Sequence, residues 1–298
     1  MRTVTTFAGV RKENRGSIGL VPTMGYLHEG HLSLIEAARD ASDTVVVSLF
    51  VNPLQFNEEA DLATYPRDVE RDGRLAEDAG ADVLFVPSLD HVYPEPPLTA
   101  VTVAGVSEGM EGAHRPGHFA GVAIVVAKLL AGIQPDRAYF GRKDAQQLAL
   151  VTRMAADLSF PVEIVGRPTV REQDGLALSS RNAYLSDEER EAALTLSAGL
   201  EAVAAVVAEG EGSAAVLEAL ARGAVDAEPR ARLEYATLAS QADAAPRRGL
   251  DTPAFLAVAA RVGGTRLIDN VHIDSAGDRW VTDLGVRLEG PSILYEEG

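Results

Sequence analysis

The sequence predicts an α/β protein with a doubly wound, mostly parallel sheet and a smaller C-terminal α+β domain. Along the first half of the chain, short runs of Val, Ile, Leu and Phe alternate with segments of helical periodicity, which is typical of parallel strands joined by helices. These runs lack polar alternation, as strands do when helices cover both faces of their sheet. After about Pro168, helices come first and strand-like runs follow. We therefore predict one domain over residues 1–169 and a second over residues 170–298, with a peripheral tail from about Asp274.

The elements of the first domain follow in order from these patterns. Strands are predicted over residues 17–21, 44–51, 81–86, 137–140 and 161–165. Helices are predicted over residues 30–41, 66–79, 118–131 and 144–158. Residues 87–117 are richer in Pro and Gly, and we expect them to form an excursion over the sheet with a short strand at 100–104.

The second domain opens with a strong helix-start signal. Ser186 can cap a helix, and Glu189 three residues later completes a capping box. This helix is predicted to run to about Glu209, and a second helix covers residues 213–225 after a glycine break. Strand-like runs follow at residues 233–238, 254–259 and 265–273.

The composition excludes several classes of protein. The 298 residues are 46% hydrophobic and 24% charged and include no cysteine, so disulfides, thiolate metal sites and cysteine nucleophiles are ruled out. The first residues lack the apolar core of a signal peptide, and the longest apolar stretch, 121–133, is interrupted by Lys128 and too short to span a bilayer. A net charge of −17 argues against a large nucleic-acid interface. We expect a cytoplasmic protein without membrane or nucleic-acid partners.

Two histidines lie at the first predicted strand-to-helix turn. The apolar strand breaks at Pro22, Gly25 permits a tight turn, and the helix begins near Gly30, so His28 and His31 stand at the helix start. Ligands bind outside the carboxyl ends of strands in such sheets, where the free N–H groups of a helix favour phosphate. The two imidazoles can hydrogen-bond phosphoryl oxygens. The alternatives are a metal-binding pair or two incidental surface histidines.

The second predicted strand ends in Phe50-Val-Asn-Pro-Leu-Gln-Phe56. Asn52 and Gln55 place neutral amides there, and an amide can hold a carboxylate without neutralising it, which matters if that carboxylate is a nucleophile. The alternative for Asn52 is turn chemistry, in which its side chain bonds its own backbone.

The fourth predicted strand ends in Phe140-Gly-Arg-Lys-Asp-Ala-Gln-Gln147. Gly141 turns the chain, Lys143 offers a point charge for phosphate, and Asp144 is a good N-cap. Gln147 lies on the same helical face as Lys143 and Asp144. Lys143 as a solvated surface lysine is the alternative.

Two further segments carry polar and cationic side chains. Around Ser179, Ser180 and Arg181, two hydroxyls and a guanidinium at the domain junction can wrap a polyphosphate and counter the charge of a leaving pyrophosphate; a solvated loop is the alternative. The segment 114–121 is a turn that feeds a helix, for which we predict a structural role rather than a lid or a substrate-positioning loop.

Other phosphate and metal motifs are absent from the sequence. There is no Walker A pattern, and no Gly-x-Gly-x-x-Gly follows the first strand. His-Glu-Gly-His is one residue shorter than the zinc-protease motif, with its histidines three rather than four apart, so we predict no protein-bound metal.

Taken together, four segments resemble the pantothenate synthetase (pantoate–β-alanine ligase) family of the nucleotidylyl-transferase superfamily. They are Pro22-Thr-Met-Gly-Tyr-Leu-His-Glu-Gly-His31, 50–56, Gly141-Arg-Lys-Asp144 with Gln147, and Leu178-Ser-Ser-Arg-Asn182. The resemblance covers roughly residues 17–273. It implies a Rossmann-like first domain of the His-x-Gly-His type, related to class I aminoacyl-tRNA synthetases, and a second, mobile phosphate loop at 178–181.

The resemblance also implies a reaction and its participants. Pantoate would attack the α-phosphorus of ATP to give pantoyl adenylate and pyrophosphate, and β-alanine would then displace AMP, with Mg²⁺ accompanying the polyphosphate and a homodimer as the usual assembly. His31, Lys143 and Arg181 would be catalytic, and Gln55 and Gln147 would hold pantoate. The implied nucleotide site comprises Met24, Gly25, Tyr26, Leu27, His28, Glu29, Gly30, His31, Gly141, Arg142, Lys143, Asp144, Val170, Leu178, Ser179, Ser180 and Arg181.

Two residues depart from the family pattern. Tyr26 stands where a small residue is common, and Arg142 replaces a Glu or Gln before the Lys-Asp pair. Neither change removes a group that the reaction needs. The alternatives to the ligase are another nucleotidyl transferase of this superfamily and a nucleotide-binding module without catalysis.

Overall fold

A computed structural model describes residues 1–57 and 59–295, apart from the side chains of residues 59–61. The chain forms two compact units, one made of Met1–Gly141 and Leu150–Arg167, the other of Arg142–Ala149 and residues 168–295. The sequence-based boundary at 169/170 places residues 142–149 in the first domain, whereas their contacts are with the second unit.

Unit 1 contains a six-stranded parallel sheet flanked by helices. Its strands are β1 (Arg2–Val4), β2 (Ile18–Thr23), β3 (Thr44–Leu49), β4 (Val83–Phe85), β5 (Arg137–Gly141) and β6 (Glu163–Arg167). Its helices are α1 (Phe7–Glu13), α2 (Glu29–Ala41), α3 (Glu59–Thr64), α4 (Val69–Asp78), α5 (Leu89–Val92), α6 (Glu111–His114), α7 (His118–Ile133) and α8 (Ala145–Asp157), the first turn of which belongs to unit 2.

The strand order β1-β4-β3-β2-β5-β6 reverses at β2. From β2 the chain adds β3 and β4 on one side and later β5 and β6 on the other, all in parallel. The carboxyl ends of β2, β3 and β5 therefore lie at one edge of the sheet, where such folds bind ligands. The predicted α/β class and parallel sheet are confirmed.

Unit 2 contains a four-stranded antiparallel sheet covered by two long helices. Its elements are β7 (Val170–Arg171), α9 (Asp187–Ala208), α10 (Ala214–Asp226), β8 (Ala231–Ser240), β9 (Ala254–Val262), β10 (Thr265–Ala276), β11 (Arg279–Asp283) and β12 (Val286–Arg287). The sheet order is β11-β10-β9-β8, and β12 pairs with β7. The capping box predicted at Ser186 and Glu189 begins α9.

Helix α9 is long and apolar enough, by length and composition, to cross a membrane. Half of its most apolar window is buried within the protein, however, and Leu196, Leu200 and Val203 form part of the core of unit 2. It is therefore a core helix of this unit.

Three parts of the structure differ from the sequence-based predictions. Residues 100–104 form no strand, because no described strand lies beside them to supply hydrogen-bond partners. Strand β1 and helix α1 precede the first predicted strand, and α1 is capped by Thr6. The chain beyond Asp274 is not simply peripheral, because β11 extends the sheet and Trp280 packs against the core of unit 2.

Candidate active site

In unit 1, the turn between β2 and α2 carries the two histidines. Gly25 has φ +90° and Tyr26 has φ +54°, so two consecutive left-handed residues reverse the chain after the strand. His28 is the N-cap residue of α2, and its backbone N–H donates to Nδ1 of His31 over 3.4 Å. Because Nδ1 of His31 accepts this bond, the ring proton of a neutral His31 lies on Nε2. His31 is thus a hydrogen-bond donor at the start of a helix.

Close packing fixes the two imidazoles against each other. Their ring centroids are 4.1 Å apart, with an angle of 37° between the planes. A Cβ atom at Gly30 would lie 2.9 Å from Cε1 of His28, closer than such atoms approach, so position 30 must be glycine for His28 to keep this orientation.

Helix α4 holds the same turn, a role that the sequence analysis did not assign. The buried carboxylate of Asp72 accepts the backbone N–H groups of Tyr26 and Leu27, both over 2.7 Å. Arg71 donates to the carbonyl of Leu27 over 2.9 Å and lies over the ring of Tyr26. Burial raises the pKa of Asp72, against the lowering effect of the two N–H donors. Tyr26, one of the two departures from the family pattern, is thus accommodated by Arg71.

The end of β3 is organised by Asn52, which is 1% exposed. Its Nδ2 donates to Oε1 of Gln55 over 3.1 Å and to the carbonyl of Gly121 over 2.9 Å. Its Oδ1 accepts from the N–H of Leu54, as the turn alternative foresaw, and also from the hydroxyl of Tyr93. Burial raises the pKa of Tyr93 to about 12, so this hydroxyl keeps its proton.

Gln55 and Met24 come together at this edge of the sheet. Gln55 Nε2 lies 3.0 Å from the sulfur of Met24, a weak acceptor, while Asn52 holds its oxygen. The first motif and the second thus meet through their side chains, although Met24 and Gln55 are 31 residues apart in sequence. The amide N–H₂ of Gln55 is the donor that this arrangement can offer to an acid.

Segment 114–121 supports the backbone of Gln55, in line with the structural role predicted for it. His118 Nδ1 donates to the carbonyl of Gln55 over 2.8 Å, and Arg115 donates to the same oxygen over 3.3 Å. A Cβ atom at Gly121 would lie 2.2 Å from the carbonyl oxygen of Leu54. Glycine therefore allows α7 to lie directly on the turn Pro53–Gln55.

In unit 2, Arg142–Asp144 form a 3₁₀ turn before α8. The guanidinium of Arg142 makes ion pairs with Asp283, at 3.0 Å, and Asp274, at 3.6 Å. The carbonyls of Arg142 and Lys143 accept hydrogen bonds from Asn270, over 3.0 and 2.7 Å. Asp144 is exposed, and Gln147 is half-buried on the first turns of α8.

The Ser-Ser-Arg segment of unit 2 begins a 3₁₀ turn, Ser180–Tyr184, with Ser179 as its cap. The hydroxyl of Ser179 accepts the N–H of Arg181 over 3.3 Å, and the N–H of Leu178 donates to the carbonyl of Val170 over 2.9 Å. The buried Asn182 anchors the turn by donating to Glu172 over 2.7 Å. The loop is therefore held by hydrogen bonds at both of its ends, at Leu178 and at Asn182.

Glu172 is itself held by Arg190 of α9 and by Tyr295, the last residue that the structure describes. Arg190 bonds both of its carboxylate oxygens, at 3.3 and 2.8 Å, and the hydroxyl of Tyr295 donates to it over 3.0 Å. Burial raises the pKa of Tyr295 to about 12. The C-terminal segment thus contributes to the support of the loop 178–181, which the expectation of a peripheral tail did not include.

A family model for pantoate-beta-alanine ligase matches residues 1–272 of this chain. The chain belongs to the pantoate–β-alanine ligase family. It is 50% identical over 274 residues to the pantothenate synthetase of Heliobacterium modesticaldum, covering 92% of this chain and 98% of that protein. The predicted family and ligase class are confirmed.

Solved structures of ligases from this family share the fold. The pantothenate synthetase of Thermus thermophilus superimposes with a TM-score of 0.86 at 49% identity, covering 91% of this chain and 98% of that one. The pantoate–β-alanine ligase of Francisella tularensis, complexed with beta-gamma ATP and β-alanine, gives a TM-score of 0.74 at 34% identity, covering 91% and 97%.

The described residues of this ligase include no group of three or more His, Asp or Glu side chains that could hold a metal ion. The histidine pair at the start of α2 is therefore not part of such a cluster. The described side chains instead supply hydrogen-bond donors, cations and neutral amides, a set suited to binding phosphates and a carboxylate.

Proposed function

We propose that this enzyme condenses (R)-pantoate with β-alanine at the expense of ATP, through pantoyl adenylate. A carboxylate oxygen of pantoate attacks the α-phosphorus of ATP, and the bond from that phosphorus to the bridging oxygen breaks to release pyrophosphate. The amine of β-alanine then attacks the acyl carbon, the bond between that carbon and the phosphate oxygen breaks, AMP leaves with the electron pair of this bond, and the amine loses a proton. The products are pantothenate, AMP and pyrophosphate.

The main observation behind this proposal is that possible phosphate donors and a neutral amide lie close together at one edge of the unit 1 sheet. The helix start at His28 and His31 offers N–H donors for phosphate, and the amide of Gln55 lies beside it, 3.0 Å from Met24. An amide binds the pantoate carboxylate without a positive charge, so the carboxylate stays nucleophilic. A full-length ligase relative complexed with beta-gamma ATP and β-alanine supports the same reading.

The roles of the individual side chains follow from where negative charge develops during the reaction. Negative charge grows on the oxygens of the α-phosphate and on the departing pyrophosphate, so positioning and electrostatic stabilisation carry most of the rate. We assign His31 Nε2–H, Lys143 and Arg181 to these oxygens, and Gln55 and Gln147 to pantoate. The turn 24–31, residues 141–144, Val170 and residues 178–181 complete the proposed nucleotide site.

The same proposal includes a metal ion, a cellular location and an oligomeric state. Mg²⁺ would accompany ATP on the triphosphate oxygens, which are the hard ligands it prefers, since the described side chains do not form a metal site. The net charge of −17 fits a cytoplasmic enzyme with small-molecule substrates rather than a nucleic-acid partner. We further expect a homodimer, as the family resemblance implies.

The test is an assay of purified protein with ATP, pantoate and β-alanine that follows AMP and pantothenate. We expect both products in equal amounts, each requiring all three substrates. His31→Ala and Lys143→Ala should each lower kcat by about 100- to 1,000-fold, the loss typical for removal of a transition-state donor. Lys12→Ala, a change of the same kind at an exposed lysine of α1, is the control and should leave the rate unchanged.

Other outcomes point to the alternatives. Pyrophosphate release with acids other than pantoate, and none with pantoate, would indicate a different nucleotidyl transferase. ATP binding without any turnover by folded protein would indicate a nucleotide-binding module. Full activity in both His31→Ala and Lys143→Ala would refute the assigned roles.

A further inference from the structure

One face of β10 carries a polar stripe, which we define as Asn270, His272 and Asp274. Alternate residues of a strand point to the same side, so these three share a face. The opposite face carries Leu267, Val271 and Ile273 into the core of unit 2. The stripe stands out because Asn270 and His272 are polar and yet only 2% and 4% exposed.

All three members of the stripe contact the turn that carries Lys143. Asn270 Nδ2 donates to the carbonyls of Arg142 and Lys143, over 3.0 and 2.7 Å. His272 Nε2 donates to the carbonyl of Arg142 over 3.2 Å. Asp274 faces the guanidinium of Arg142, 3.6 Å away. Two consecutive peptide groups are thus fixed by three hydrogen bonds.

These bonds determine the direction in which Lys143 leaves the backbone. When the peptide planes on both sides of a residue are fixed, its Cα–Cβ bond is fixed as well, because only φ and ψ are free. The turn Arg142–Asp144 is a short 3₁₀ turn, and the hydrogen bonds of such turns have poorer geometry than those of an α-helix. Without Asn270, the carbonyls of Arg142 and Lys143 would lose the donor that they share.

The placement is unusual for side chains that serve packing alone. β10 pairs with β9 over residues 265–273 and with β11 over residues 272–276, and neither ladder uses these side chains. Burying an amide and an imidazole costs free energy unless both are hydrogen-bonded, and an apolar residue would pack there at lower cost. Burial also lowers the pKa of His272, which keeps the ring neutral and its Nε2 proton directed at Arg142.

We propose that the polar stripe is a positioning device for Lys143, with Asn270 as its principal positioning residue. The stripe sets the turn Arg142–Asp144 so that the ammonium group of Lys143 meets the nucleotide phosphates. This inference rests on the proposed function for the role of Lys143, and it adds residues of β10 that act through the backbone of the turn. Positioning errors of about 1 Å can lower a rate about 100-fold.

The experiment compares Asn270→Ala with Val271→Ala, a buried neighbour on the other face of β10. The two half-reactions are measured separately, as pantoate-dependent pyrophosphate release and as pantothenate formation from added pantoyl adenylate. We expect Asn270→Ala to slow the first about 10- to 100-fold and the second far less, because the leaving pyrophosphate is present only in the first. Val271→Ala should lower the stability of the fold and leave both half-reactions near wild type.

A double-mutant cycle separates positioning from general damage. If Asn270 acts through Lys143, then Asn270→Ala should have no further effect on pyrophosphate release in a Lys143→Ala background. Additive losses in this cycle would overturn the proposal, and so would wild-type pyrophosphate release by Asn270→Ala. Should the alanine variant fail to fold, Asn270→Ser, which keeps a short donor, takes its place with the same expected ordering.

A readout that needs no turnover distinguishes this inference from the proposed function. Hydrogen exchange of the peptide that spans residues 142–149 should quicken in Asn270→Ala and stay near wild type in Val271→Ala. If the wild-type protein released no pyrophosphate, the proposed function would be wrong. The hydrogen-exchange measurement would still test whether Asn270 holds the turn Arg142–Asp144. Unchanged exchange in Asn270→Ala would show that the stripe does not hold the turn.

Discussion

At the scale of single residues, Gly121 shows how closely α7 approaches the turn that carries Gln55. A Cβ atom there would lie 2.2 Å from the carbonyl oxygen of Leu54 and 2.7 Å from the backbone nitrogen of Gln55. Both obstacles are backbone, which cannot rotate away as a flexible side chain can. We therefore expect Gly121→Ala to displace the turn, to raise the KM for pantoate, and to cost about 1–3 kcal/mol of stability through overpacking.

The matched control for this prediction is Gly223→Ala in helix α10, where the added Cβ would meet no described atom within 4 Å apart from the nearby backbone of its own helix. This change should raise the free energy of unfolding by up to about 1 kcal/mol, the usual gain for alanine over glycine in a helix. Steady-state kinetics and urea unfolding of both variants check the prediction. An unchanged pantoate KM in Gly121→Ala would mean that the turn tolerates the displacement.

Candidate site residues could be proposed from the sequence, but the residues that support them could not. Lys143 and the Ser179–Arg181 run have cationic or hydroxyl side chains within local motifs, so the sequence indicates them as candidates. Asp72 is 46 residues from Tyr26 and contributes by accepting two backbone N–H groups. Such a bond leaves no periodicity in the sequence. Asn270 and His272 did leave a signal, since they alternate with the apolar Val271 and Ile273 along β10.

At the scale of elements, α4 holds the turn between β2 and α2 in place through hydrogen bonds. Asp72→Ala removes the acceptor for the N–H groups of Tyr26 and Leu27, and each buried donor left unpaired costs about 1–3 kcal/mol. We expect the free energy of unfolding to fall by at least about 2 kcal/mol and the affinity for ATP to weaken, because the turn also carries His28 and His31.

Asp78→Ala, an exposed carboxylate in the last turn of the same helix, provides the control and should change stability by less than about 0.5 kcal/mol. Urea unfolding and ATP titration are the measurements. Equal stability of the Asp72→Ala and Asp78→Ala variants would show that α4 does not hold the turn.

Most strands that the sequence predicted contain an apolar run, whereas the strands that it missed do not. β2 and β3 are buried along nearly their whole length, so unbroken apolar runs mark them. β1 is a three-residue edge strand that is mostly exposed, and an edge needs no apolar run. β11 pairs with β10 through a strand whose side chains are polar except for Trp280 and Val281. Apolar runs therefore marked most strands, including β6 and β8 at sheet edges, but not the short, exposed β1 or the mostly polar β11.

At the scale of the whole molecule, each unit has a hydrophobic core of its own. Ile35 is fully buried in a core cluster of unit 1, and Leu200 is fully buried in the core of unit 2. The chain leaves unit 1 after Gly141 and returns to it at Leu150. The intervening residues include Lys143 and Gln147, so two proposed site residues depend on a core that lies elsewhere in the sequence.

This arrangement predicts which core stabilises the segment 142–149. Ile35→Ala and Leu200→Ala each leave a cavity that costs about 2–5 kcal/mol, and each should quicken hydrogen exchange in its own unit first, because proteins open in cooperative parts. In Leu200→Ala, hydrogen exchange should quicken at the amides of residues 142–149 together with those of α10 and β8–β10. In Ile35→Ala, the exchange rates of residues 142–149 should stay near those of the wild type. Protection measured by mass spectrometry in both variants decides the matter. If residues 142–149 instead exchanged together with β2 and β5 in Ile35→Ala, then unit 1 would govern the position of Lys143, and the contacts with β10 would be secondary to it.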